Sequence, residues 1–342
     1  MGGMTKTPAT LSMLDLVPII EGGTIGGALA NAADLAALAE EQGYHRYWVA
    51  EHHGMAGVGG AATAVVLAHI GVHTQSIRIG AGGIMLPNHA PLQIAEQFGT
   101  LDALYPGRID LGLGRAPGSG GQVAMALRPK GSGGDPDAFP RQVVELQAMF
   151  AGDPRLGFTA TPGAGAAPEI WVLGSSTYGA QLAAALGLPY GFASHFAPAL
   201  LDEAVATYRR LFRPSAVLDR PHVMVGFNVF AADTVEEARF HATSTQQRFV
   251  GLRTGQPDSR FEPPLEGYAE NLPAAHRAML NEMLSCSAIG TEQDVAKALT
   301  ALLARTQADE VIVAGQIFDH EARKHSFALA AQAMRSVVLA GT

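Results

Sequence analysis

The sequence predicts a (β/α)8 barrel, a ring of eight parallel strands each followed by a helix. Three observations carry that expectation. A short strand-like run followed by a helix-length segment with apolar residues at helical spacing recurs eight times along the chain. The stretch from Ile77 to Ser119 joins two such strands through one helix, which makes a parallel βαβ unit. The 342 residues, 48% apolar and 16% charged, can bury one large core, and no linker divides them.

In order, LSMLDLV (11–17) reads as the first strand and GGALANAADLAALAEEQGY (26–44) as its helix, ending near Gly43. HRYWVAE (45–51) is the second strand, running into His52-His53-Gly54, and AATAVVLAHIGVHT (61–74) is an almost wholly apolar helix. IRIGAGG (77–83) and RIDLGLG (108–114) are the third and fourth strands, separated by the helix behind Pro91. FPRQVVELQAMF (139–150) is the next helix. EIWVLG (169–174) and GFASHF (191–196) are the fifth and sixth strands, and PHVMVGFNVFA (221–231) the seventh, each with a helix behind it. Thr291 and Asp294 stand at capping-box spacing before a helix that leads to DEVIVAG (309–315), the eighth strand. The expected organisation is one domain over 1–342 with insertions near 118–137, 152–168 and 251–288, all rich in glycine, proline or turn residues, the last with a short amphipathic piece near PAAHRAMLNEML.

Composition excludes several classes of function. A net charge of -8 and the lack of any Lys/Arg-rich run argue against nucleic acid or an anionic membrane surface as partner. The single cysteine, Cys286, leaves no internal disulfide and no cysteine metal cage. No apolar run reaches the length of a membrane span, and the first apolar segment lacks a basic leader, so a cytoplasmic location is expected.

In a barrel of this kind chemistry gathers where strands end. Glu51-His52-His53 follows the second strand. Strict strand alternation lets one of the two histidines enter the mouth, where it can give or take a proton near neutral pH; the alternative is a pair that merely caps the strand. Adjacent histidines are poorly placed to chelate one ion, no acidic partners cluster nearby in sequence, and no metal site is expected. His69 and His73, four apart on a helix, read as a surface pair, and His89 lies in the loop after the third strand. The run Gly112 to Gly118 fails as a dinucleotide fingerprint because its third glycine comes one residue late and Pro117 interrupts the helix start. Arg115 within it suits phosphate, since a guanidinium offers two parallel donors. Gly174-Ser175-Ser176-Thr177-Tyr178-Gly179 ends the fifth strand and opens a helix, where free amides and hydroxyls can cradle an anion, although serine is also simply a good helix cap.

YWVAEHH, IGAGGIMLPNHAPLQIAEQFGTLDALYPGRIDLGLGRAPG and WVLGSSTYGAQLAAALGLPYGFASHF together resemble the luciferase-like, flavin-dependent monooxygenase family, from about residue 11 to 200 and again at DEVIVAG. The resemblance implies a barrel that binds FMN at its mouth. It implies that Arg115, Gly174, Ser175, Ser176 and Gly179 hold the phosphate, that Gly82-Gly83 is a non-proline cis link against the flavin ring, and that His52 is the catalytic histidine. It further implies two-component chemistry: a separate NAD(P)H:flavin reductase delivers reduced FMN, and O2 reacts through a flavin C4a-hydroperoxide to oxygenate a small organic substrate. The Gly, Pro, Phe and Leu content of the insertions suggests a fairly apolar one. A homodimer is the family's usual state. Gly114 stands where bacterial luciferase carries a reactive cysteine, and Ser175 where it carries an acid, so the closer likeness is to the non-luminescent, single-gene branch. Three alternatives remain: an F420-dependent dehydrogenase of the same fold, a flavin-binding protein without turnover, and a metal-dependent barrel hydrolase.

Overall fold

The computed structural model describes residues 9–116, 121–127, 138–256 and 258–337. In chain order the elements are β1 (Thr10–Asp15), α1 (Ile25–Glu41), β2 (Arg46–Val49), α2 (Thr63–Val72), β3 (Arg78–Met85), α3 (Pro91–Leu104), β4 (Ile109–Gly114), α4 (Gly121–Leu127), α5 (Ala138–Phe150), β5 (Glu169–Gly174), α6 (Thr177–Leu186) and β6 (Tyr190–Phe192). They continue with α7 (Leu201–Leu211), β7 (Val223–Ala231), α8 (Val235–Thr254), α9 (Tyr268–Asn271), α10 (Ala274–Met283), β8 (Ser287–Gly290), α11 (Glu292–Thr306), β9 (Glu310–Ala314) and α12 (His320–Arg335).

Eight strands close into a parallel ring: β1 to β7 pair in sequence order, β7 pairs with β9, and β9 pairs back to β1. The helices bury their small and branched residues against it, as α1 does with Ala32, Leu35, Ala36 and Ala39 at helical spacing. The capping box is formed, with the Thr291 amide donating to Asp294 Oδ2 at 2.9 Å.

The barrel interior is layered. At the N-terminal ends of the strands Arg46 reaches Asp110 at 2.9 Å, Glu169 at 3.1 Å and Glu310 at 3.0 Å, while Arg78 adds a second cation to Asp110. Burial alone would push the Glu310 carboxyl up, but Arg46 and then His222 hold it below its usual range. This plug ties five strands together, and stripping one partner from such a buried set costs about 3–5 kcal/mol. Above it Trp48 and Trp171 meet edge to face at 5.4 Å, packed with Leu14, Met224 and Ile312. Charge fills the bottom and indole the middle, so open space is left only at the strands' C-terminal ends.

Two expected elements differ. The sixth strand stops at Phe192, because the following residues turn inward: Ser194 Oγ donates to Gly226 O at 2.6 Å and Asn228 Nδ2 donates to His195 O at 2.6 Å. Within residues 251–288 the amphipathic piece near PAAHRAMLNEML is helical as read, and the segment holds more than that. It carries α9, α10 and the start of β8, a ninth strand that lies outside the ring and pairs with the far end of β7 from Asn228 to Ala231. The 152–168 segment has one short 3-10 turn and is otherwise irregular, as expected. The 118–137 insertion lies outside the described residues except for α4. Among the described residues no helix is long and apolar enough to cross a membrane.

Candidate active site

A cavity of about 830 Å³ opens at the C-terminal ends of the strands, and His52, Gly82, Gly83, Arg115, Gly174, Ser175, Ser176 and Gly179 all line it. Residues in or just after four strands, β2 to β5, are thus brought to one space.

Gly82-Gly83 is a cis, non-proline peptide, and the β3–β4 register slips by one residue between Gly82 and Ile84. Neither position can carry a side chain. A Cβ on Gly82 would stand 2.8 Å from Leu14 Cδ1 and 2.9 Å from Trp48, and one on Gly83 would stand 2.6 Å from the Gly112 carbonyl oxygen. The wall there is bare backbone, which admits a flat ring at close range.

Arg115 leaves β4 immediately after Gly114, is exposed, and lies over the Tyr178 ring at 4.0 Å. Tyr178 belongs to the first turn of α6, so the stacking holds the guanidinium beside that helix's N-terminus. Ser176 is the extended N-cap, and its side chain makes no capping bond. The partial positive charge of the helix end therefore has the serine hydroxyls beside it without being closed by them. Gly174 and Gly179 pack closely, a Cβ on Gly174 lying 3.7 Å from Gly179 Cα, so strand end and helix start approach without a side chain between them.

At the β2 end both His52 and His53 line the cavity. Alternation does not sort them because β2 already stops at Val49 and the chain there is a loop. Glu51, buried, accepts from His53 Nε2 at 2.5 Å, His89 Nε2 at 2.8 Å and the Met85 amide at 3.0 Å. The expectation that no acid clusters with these histidines is therefore corrected: carboxylate and both rings converge because the loops after β2 and β3 meet. His69 and His73 sit exposed on and just past α2, ring to ring at 4.9 Å, as a surface pair.

Three cavity residues escaped the sequence reading. His195, after β6, packs its Nδ1 against Gly226, where a Cβ would lie 2.1 Å away; burial, with His52 adding to it, pushes this imidazole down to about 4. Ser244 and Arg248 come from α8. The signal for His195 was present: a histidine at a strand's carboxyl end, the same cue that drew attention to His52. No comparable cue marks a serine and an arginine within a helix.

The model of the luciferase-like monooxygenase family matches residues 11–310. The chain belongs to that family. It is 50% identical over 328 residues to a luciferase-like monooxygenase of Escherichia coli (strain K12), covering 96% of this chain and 97% of that one. It is 32% identical over 332 residues to the N-acetyl-S-alkylcysteine monooxygenase of Bacillus subtilis (strain 168), covering 95% and 98%. Among solved structures, apo-MsnO8 matches with a TM-score of 0.85 at 32% identity, covering 96% of this chain and 99% of that one. The FMN-bound oxygenating constituent of 3,6-diketocamphane monooxygenase from Pseudomonas putida shares the fold, with a TM-score of 0.71 at 16% identity and coverage of 98% and 100%. So does an F420-dependent secondary alcohol dehydrogenase, with a TM-score of 0.64 at 14% identity, covering 96% and 100%. As a luciferase-like monooxygenase the protein is an oxidoreductase at the level of its family.

Proposed function

We propose that this luciferase-like protein is the oxygenase component of a two-component system, taking reduced FMN from a separate NAD(P)H:flavin reductase and using O2 to oxygenate a small organic molecule. The observation that carries the reading is Arg115 stacked over Tyr178 at the uncapped start of α6, on the same β3–β5 side of the cavity as the bare Gly82-Gly83 backbone. One end offers a cation, hydroxyls and helix amides, which suit a phosphate monoester; the other offers a flat wall, which suits an aromatic ring. The residues present fit FMN.

When bound, reduced flavin supplies the electrons for oxygen activation. The protein's own part is binding, orientation and proton handling. Arg115, Ser175 and Ser176 hold the phosphate, with Gly174 and Gly179 letting the backbone come close. His52 holds or moves a proton at its imidazole beside the reacting centre. Water is excluded by residues 258–262, which strap across the mouth: the Phe261 amide donates to Ile19 O at 2.9 Å, the Glu21 amide donates to Phe261 O at 2.8 Å, and Asp258 accepts from the Ala56 amide. A homodimer is part of the same proposal, supported by Val65 and Val72, two apolar side chains that α2 leaves 71% and 70% exposed.

Arg115→Ala tests the assignment. It is expected to weaken FMN binding by roughly tenfold or more, the scale of a lost charge-assisted hydrogen bond, while leaving riboflavin, which has no phosphate, nearly unaffected. Titration of both flavins by fluorescence quenching reads the difference, and equal losses refute the phosphate role.

A further inference from the structure

The wall of the cavity opposite Gly82-Gly83 has a chemistry of its own. In the closed ring β7 stands diametrically across from β3, and behind it α8 turns Ser244, Gln247, Arg248 and Gly251 toward the cavity, at helical spacings of three, four and seven. A helix packed on a barrel ordinarily presents apolar residues along such a stripe. Here three of the four are polar: Gln247 Nε2 donates to Pro263 O at 2.9 Å, but Ser244 is not satisfied from within. Ser244 is 1% exposed, and its Oγ has no hydrogen-bond partner among the described residues. His195 Nδ1 is also without a partner among the described residues, but it packs against Gly226 and is no part of this stripe. Arg248 donates to Asp258 at 2.7 Å and to Ser259 O at 3.2 Å, contacts that engage two of the five donors a guanidinium carries.

Charge on this side is already balanced. The lining holds two arginines, Arg248 and Arg260, and two carboxylates, Asp258 and Glu262. Burial keeps His195 neutral at ordinary pH. An added anion would bring uncompensated negative charge into a water-poor space, whereas a neutral oxygen would meet donors that lack acceptors. Phe196, Phe249 and Met224, with Phe196 and Phe249 edge to face at 6.4 Å, supply apolar surface beside the polar stripe.

We infer that the α8 wall, through Ser244 and Arg248, is the subsite for the organic substrate, and that it selects a mostly apolar molecule bearing one neutral hydrogen-bond-accepting oxygen, of the amide or ester kind, over a carboxylate. The inference rests on the flavin reading only in placing the cofactor on the β3–β5 side. It sharpens the expectation of an apolar substrate by adding one polar anchor.

Octanamide and octanoate, alike in shape and different in charge, serve as probes in calorimetric titrations of the FMN-loaded protein and its Ser244→Ala variant. The expected result is that octanamide binds about tenfold more tightly than octanoate, and that Ser244→Ala weakens octanamide by about tenfold while changing FMN affinity by less than about twofold. Octanoate binding as tightly as octanamide, an unchanged octanamide affinity in Ser244→Ala, or no saturable octanamide binding overturns the subsite. A loss of FMN affinity in Ser244→Ala assigns that hydroxyl to the cofactor and also overturns it. Failure of the flavin reading shows separately, as an Arg115→Ala protein whose FMN affinity is unchanged, while octanamide titrated into the cofactor-free protein still reads the α8 wall.

Discussion

Glu51 organises the mouth more than either histidine that follows it. Burial would raise its carboxyl, but His89, then His53 and the Met85 amide, hold it below the usual range, so it stays an anion that three donors share. Glu51→Ala leaves two imidazoles and one amide without their acceptor and is expected to lower unfolding stability by about 2–3 kcal/mol, with Glu51→Gln recovering part of the loss. Urea unfolding followed by circular dichroism checks this, and a change within experimental error shows that the three donors find other partners. The sequence drew attention to the right triplet but not to this role, because hydrogen bonding between the loops after β2 and β3 is set by three-dimensional closure. That Arg115, Ser175 and Ser176 come to the cavity was legible for the opposite reason: strand ends and helix starts are local signals.

Elements were legible where their signals were local. β5 spans Glu169–Gly174 as read, and the Thr291–Asp294 capping box forms as its spacing required. β8 was not legible, since SAIG holds a single β-branched residue and pairs with β7 only because α10 delivers it there. Glu40 shows what an element can add beyond its own length. From near the end of α1 its carboxylate accepts the amides of Gln75 at 3.0 Å, Ser76 at 2.5 Å and Ile77 at 2.8 Å, fixing the chain as it enters β3. Burial works against the charge, but these amides outweigh it and draw the carboxyl down to about 2. A carboxyl lowered on folding stabilises fully above its ordinary value, near 4.5, and loses that contribution as pH falls toward 2. Glu40→Gln is therefore expected to melt below the parent at neutral pH and to converge with it in acid. Melting curves across that window check it, and a deficit independent of pH contradicts the assignment.

At the scale of the molecule the barrel is a vessel with a sealed base. The Arg46 network closes the bottom, Trp48 and Trp171 fill the middle, and the cavity is left at the end where the loops carry histidine, arginine and glycine. Eight strand-helix alternations were enough to read that architecture from the sequence; the layering inside it was not, because it depends on which residue of each strand shares a level with its neighbours. In the function proposed above, reduced FMN occupies that cavity with its phosphate toward Arg115, under a strap that keeps water out. The most direct test is to load the protein anaerobically with reduced FMN, mix it rapidly with O2 and follow flavin reoxidation by absorbance. Reoxidation clearly slower than that of free reduced FMN is the expected result. Reoxidation at the free-flavin rate would contradict it.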